Sequence, residues 1–170
     1  MSIPDSWHGE WSGLEVAILG LGKSGFSVAD ALSQLGCKVT VFASDSRADF
    51  KDLLGVMGVV LVEGDSLQDF TELSAEFDFV VTSPGFLPTH PIVEFLSAGK
   101  IPVLTDVDLA WRLRDRSPKV AKWITVTGTN GKTTTTEMVN HILDTAGFRS
   151  AAVGNIGEPI LNAMLDEIGF

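Results

Sequence analysis

The 170-residue chain has a single cysteine, Cys37, which excludes an intrachain disulfide and any cysteine-based metal cluster. A lone thiol suits a reducing, cytoplasmic setting. His8, His90 and His141 stand far apart with no partner at i+3 or i+4, and none is read as a metal ligand. Basic residues are scarce, with 12 Lys and Arg against 22 Asp and Glu and a formal net charge of -10. They form no patch or stripe, so a nucleic-acid partner is not expected. No apolar run approaches the roughly 18 residues of a membrane span. The opening MSIPDSWHGEW lacks the basic and apolar regions of a signal peptide, so no membrane partner is expected either.

What is present is an ordinary globular composition, 45% hydrophobic and 20% charged. The length fits one domain, or one small domain and part of another. LEVAIL (14–19), KVTVFA (38–43), VVLVE (59–63), FDFVVT (77–82) and IPVL (101–104) read as buried strands. Between the first two, SGFSVADALSQLG places Phe26, Ala29, Leu32 and Leu35 on one helical face and stops at Gly36. HPIVEFLSAG is a shorter helix with Pro91 in its first turn and Gly99 closing it. ADFKDLLGVMG and SLQDFTELSAE are weaker helices, and a short one is expected over 106–113. Strands alternating with helices predict an α/β fold, a Rossmann-like doubly wound parallel sheet, over 1–113. The charged, proline-containing stretch at 114–121 reads as a linker. Beyond it, KWITVT is expected to be a new strand, followed by a helix to about Ala146, a strand in SAAVGN and a helix in EPILNAMLDEI. These predict the start of a second, P-loop-type α/β domain over 122–170, too small to be complete.

Two glycine loops carry the chemistry. Gly20-x-Gly22-x-x-Gly25 follows a strand and opens a helix, where glycine lets a phosphate approach backbone N–H groups. Lys23 and Ser24 add a cation and a hydroxyl. A dinucleotide site also wants an acid at the end of the second strand, where this chain has Ala43 and Ser44, with Asp45 late. A different phosphate ligand, a dinucleotide, or simple close packing all remain open for this loop. Ser83-Pro84-Gly85 follows the fourth strand and reads by itself as a turn. The second loop, GTNGKTTT, has Val126 where a full P-loop has its first glycine, but Gly131-Lys132-Thr133 keeps the working end. Lys132 is placed for β- and γ-phosphates and the Thr133 hydroxyl for Mg²⁺. Residues 119–150 carry 4 basic and 2 acidic side chains, against 8 and 17 over 1–118, so this loop is locally positive in an acidic chain.

GTNGKTTT resembles the ATP loop of the Mur ligases, the ATP-dependent amide-bond-forming enzymes of peptidoglycan synthesis, and of folylpolyglutamate synthetase. With GLGKSGFSVADAL, VVTSPGFLPTHP, GKIPVLTDVDLAW and VGNIGEPIL in this order, the chain is similar to the branch that adds D-glutamate. The L-alanine-adding branch typically has a GGxG first loop and histidine where Asn130 stands, so it fits less well. The resemblance implies that Lys23, Ser24, Ser44, Gly85 and Asn155 contact UDP-N-acetylmuramoyl-L-alanine. It implies that Gly128, Thr129, Asn130, Gly131, Lys132, Thr133 and Thr134 hold ATP, with Thr133 on Mg²⁺ and Lys132 also catalytic. ATP would phosphorylate the substrate carboxylate, and the D-glutamate amine would attack the acyl phosphate. Ala43 departs from the family, which often has an acid there, so ribose or uracil contacts fall to Ser44 or Asp45 or are lost. Family members are more than twice this length. A further metal-ligating acid, a catalytic histidine, a carbamylated lysine and the amino-acid-binding domain have no counterpart here. The chain is therefore expected to be an N-terminal portion, inactive by itself. Competing readings are a Rossmann module sensing NAD or ADP, opposed by the missing acid, and a P-loop GTPase or kinase, opposed by Val126 and the whole upstream domain.

Overall fold

The computed structural model describes residues 2–44, 48–64, 70–72, 74–83, 89–99 and 101–166. Five strands, β1 (Glu15–Leu19), β2 (Lys38–Ala43), β3 (Val60–Glu63), β4 (Phe79–Thr82) and β5 (Val103–Thr105), form one sheet in the order β3-β2-β1-β4-β5. Every pairing is parallel, with Ile18 opposite Val41 on one side and Val81 on the other. The helices are α1 (Lys23–Gln34), α2 (Ala48–Val56), α3 (Pro91–Ala98), α4 (Asp106–Arg112), α5 (Lys132–Thr145) and α6 (Ile160–Leu165). Of the helix expected in SLQDFTELSAE, residues 70–72 are helical and Ser74–Glu76 form a 3-10 turn; the remainder lies outside the described residues.

The strands read as continuous apolar runs because helices cover both faces of the sheet. Side chains alternate between those faces. Val16 and Ile18 enter a core with Val28, Ala29 and Leu32 of α1, Leu54 of α2 and Leu109 of α4. Ala17 and Leu19 enter a second core with Phe42, Phe70, Val80 and Ile92 and Leu96 of α3. α1 ends at Leu35, and Gly36 takes the left-handed φ of 78° that favours glycine after a helix. Gly25 lies so close to the preceding turn that a Cβ there would fall 2.0 Å from the Gly20 carbonyl oxygen.

Two expectations fail after the linker. Residues 122–127 form no strand, and 150–155 hold a single bridge, Val153 to Glu158. A parallel strand exists only through neighbours that bond to it, and neither stretch pairs with a strand among the described residues. α5 does form, as expected after the phosphate loop, yet it buries none of its residues. α6, from the stretch expected to belong to the second domain, instead packs on the first. Ile160 and Leu161 are buried in the α1–α4 core, with Val153, Met164 and Leu165 against it. Such burial stabilises by about 1.5–3 kcal/mol per large side chain. No helix among the described residues is long and apolar enough to cross a membrane.

Candidate functional site

The two glycine loops begin their helices in the same way. Gly22 is the N-cap of α1 and Gly131 the N-cap of α5, and neither helix has a side-chain cap bond or an acid in its first turn. In both, the first helical residue is lysine, Lys23 or Lys132, and the second carries a hydroxyl, Ser24 or Thr133. α6, which follows Pro159, also lacks a side-chain cap and a first-turn acid but has neither the lysine nor the hydroxyl, and two other helices are closed by side chains. His90 Nδ1 accepts from the Ile92 N–H at 3.2 Å to cap α3, so this histidine has a structural role. Thr105 and Asp108 close α4 with a reciprocal capping box, the Asp108 N–H donating to Thr105 Oγ1 at 3.1 Å. An open helix start presents N–H groups without intrahelical partners and about half a positive charge. A lysine there opposes the dipole by a further 0.3–1 kcal/mol or so. A bound anion removes both penalties.

The first loop sits at the carboxyl edge of the sheet, where the strand order reverses between β1 and β4, the place at which open α/β sheets hold ligands. The Gly20 N–H donates to the Phe42 carbonyl at 2.8 Å, tying the loop to β2. Gly20 has φ 94°, a left-handed turn that brings the chain back under Gly25. Ser83 completes the edge: its N–H donates to the Leu19 carbonyl at 3.0 Å and its hydroxyl to the Gly20 carbonyl at 3.4 Å. The sequence pointed to Gly85 and passed over Ser83; the signal available was its place just after β4, beside β1. Lys23, half-buried Ser24 and exposed Ser44 share this edge of the sheet. Gly85 and Asp45 lie outside the described residues. Ala43 is buried, and its register partner on β3 is Glu63, which is held by Lys51 at 2.7 Å.

The second loop is exposed from Thr127 to Thr135. Gly131 takes φ 76° and Gly128 φ 152°, both in the region that favours glycine. Lys132 Nζ folds back over the loop, donating to the Gly128 carbonyl at 2.5 Å and to that of Thr129 at 3.4 Å. Thr135 N–H closes the first helical turn onto the Gly131 carbonyl at 2.9 Å. Thr136 turns its hydroxyl onto the Lys132 carbonyl at 2.9 Å, so that member of the threonine run serves the helix. Asn155 is exposed on the turn between Val153 and Glu158, and reaches the first domain through α6. A cavity of about 360 Å³ lined by Asp5, Leu104, Asp108, Trp111, Arg112 and Arg114 includes none of these loop residues.

Two family models match the chain. Residues 14–105 match the Mur ligase MurD-like N-terminal domain, and residues 126–170 match the Mur ligase middle domain. The chain is 42% identical over 165 residues to a UDP-N-acetylmuramoylalanine–D-glutamate ligase of Tropheryma whipplei (strain Twist), covering 97% of this chain and 34% of that protein. It is 46% identical over 165 residues to the ligase of the same name from Streptomyces coelicolor, covering 93% and 34%. Among solved structures, a murein peptide ligase from Psychrobacter arcticus 273-4 is similar with a TM-score of 0.54 at 27% identity, covering 79% of this chain and 27% of that one. The chain thus spans about a third of the length of the curated relatives it matches, 34%. On the match of its N-terminal 14–105 to the family model and its identity to these ligases, the chain belongs to the MurD-like Mur ligases.

Proposed function

We propose that this chain supplies the sugar-nucleotide site and the ATP phosphate loop of a cytoplasmic ligase that adds D-glutamate to UDP-N-acetylmuramoyl-L-alanine in peptidoglycan synthesis. The observation that carries the reading is the repeated helix start: two uncapped N-termini, each with glycine, lysine and a hydroxyl in sequence. That arrangement is unfavourable without an anion, and its occurrence twice supports two anionic ligands. In this reading Lys23, Ser24, Ser44, Gly85 and Asn155 contact the UDP substrate. Gly128, Thr129, Asn130, Gly131, Lys132, Thr133 and Thr134 hold the ATP phosphates.

The second loop fits a Mg²⁺-nucleotide. Among the described residues no group of three or more His, Cys, Asp or Glu could hold a metal ion without help. Mg²⁺ is commonly held by phosphate oxygens, water and few protein atoms, so the exposed Thr133 hydroxyl is a sufficient protein ligand. When bound, the ion offsets charge on the phosphoryl group being transferred. Lys132 would exchange two neutral carbonyls for phosphate oxygens, a charge-assisted and stronger pairing. The backbone N–H groups at the start of α5 would orient the phosphate chain. Ala43 in place of an acid argues against NAD at the first loop.

Calorimetric titration with UDP-N-acetylmuramoyl-L-alanine, ATP-Mg²⁺ and NAD tests the reading. Weakened heat is expected with the UDP substrate and little with ATP-Mg²⁺, whose loop lacks a supporting shell, and heat with NAD alone would sink the reading. The 170-residue polypeptide by itself is expected to release no D-glutamate-dependent ADP, because its ATP loop is an open surface.

A further inference from the structure

We propose that Ser27 and Asn162 are positioning residues for the sugar-nucleotide substrate, holding Asn155 in register with the first glycine loop; this rests on the functional reading above. The segment carrying α5 stands off the core, with Ile124, Met138 and Ile142 each about 60% exposed (62%, 60% and 61%). At Val153 the chain returns, and through Leu165 it lies against α1 and α4. One side-chain hydrogen bond joins α1 to α6: the Ser27 hydroxyl, 2% exposed, donates to Asn162 Oδ1 at 2.7 Å. Ser27 stands four residues after Lys23 and three after Ser24, so it lies one turn below both on α1. Asn162 is thereby tied to the helix that presents the loop residues.

The path from Asn162 to Asn155 is short and stiff. Pro159 precedes α6, and the Val153–Glu158 bridge closes the turn that carries Asn155. Gly157, at φ 65°, fits where a Cβ would come 2.6 Å from the Ala152 carbonyl oxygen, so the turn has no slack at that point. At the far end of α6, Arg116 Nη1 donates to the Leu165 carbonyl at 2.8 Å. Apolar packing of Ile160 and Leu161 holds α6 to the core but tolerates sliding and rotation. The directional Ser27–Asn162 bond fixes its register, and a binding group is only as well placed as the shell behind it.

The test is titration of the 170-residue chain with UDP-N-acetylmuramoyl-L-alanine. Ser27→Ala and Asn162→Ala should each raise Kd about tenfold, and the double variant no more than either, since the two act as one contact. Asn162→Asp, which keeps an acceptor oxygen, should stay within about twofold of the parent. In an Asn155→Ala background, Ser27→Ala should cause no further loss, and ATP-Mg²⁺ affinity should be the same throughout. The proposal is overturned if Ser27→Ala leaves Kd unchanged, weakens it equally without Asn155, or weakens ATP-Mg²⁺ to the same degree. Absence of binding by the parent chain would overturn the functional reading itself, and this proposal with it. The two failures are therefore distinct.

Discussion

Gly25 has no room for a side chain, because the Gly20 carbonyl occupies the place where a Cβ would stand. The nearest atoms are backbone, so relief requires moving the loop or the helix. Gly25→Ala should destabilise the fold by about 3 kcal/mol or more, read from the denaturant midpoint. Cys37 illustrates a different constraint. Burial, with a smaller contribution from the charge of Asp78, pushes its thiol from an ordinary 9.0 up to about 12. The native thiol should therefore resist alkylation at pH 8 and react after unfolding. Below pH 9 both states keep the proton; above it the unfolded chain releases it while the folded chain does not. Stability should thus fall as pH rises from 9 towards 12 for this group, and Cys37→Ala should remove that part of the decline. Asp115 works at the acid end. Burial raises its carboxyl, but the Ser6 hydroxyl at 2.5 Å and the Trp7 N–H at 2.7 Å outweigh it and hold the carboxyl below 3.8. Its contribution is present above that value and lost as pH falls through the depressed one.

At the scale of elements, legibility followed the locality of the signal. β1, β2 and β4 stand out in the sequence because two-sided burial makes them apolar at most positions, Val16 to Leu19 most plainly. The starts of α1 and α5 are legible because glycine marks a turn that other residues avoid. Residues 122–127 mislead for the opposite reason. Their β-branched, apolar composition suits a strand, but a strand is completed by partners that its own residues do not specify. α6 was legible as a helix yet not as part of the first core, since six residues carry no record of what they pack against. Among the candidate residues, the phosphate loop declares itself through contiguous chemistry. Ser83 does not, because its place beside β1 comes from sheet topology. α5, with no buried residue, should exchange its amide protons far faster than β1, which mass spectrometry of deuterium uptake can measure.

For the molecule as a whole, the sheet, α1, α4 and α6 make one cooperative body on which the phosphate-loop segment stands. Leu161 is 1% exposed inside that body. Leu161→Ala should cost about 2–5 kcal/mol of global stability, although the residue lies far along the chain within the middle-domain match. A cost below about 0.5 kcal/mol, the range of surface sites, would mean that α6 is not part of the core. The central claim is that each glycine loop serves its own anion. Its most direct measurement is the affinity of Lys23→Ala and Lys132→Ala for both UDP-N-acetylmuramoyl-L-alanine and ATP-Mg²⁺. Both lysines are exposed, so either variant should fold as the parent does. The account predicts that Lys23→Ala loses at least about tenfold for the UDP substrate and keeps ATP, while Lys132→Ala does the reverse. A single variant that abolished both affinities, with the other affecting neither, would contradict it.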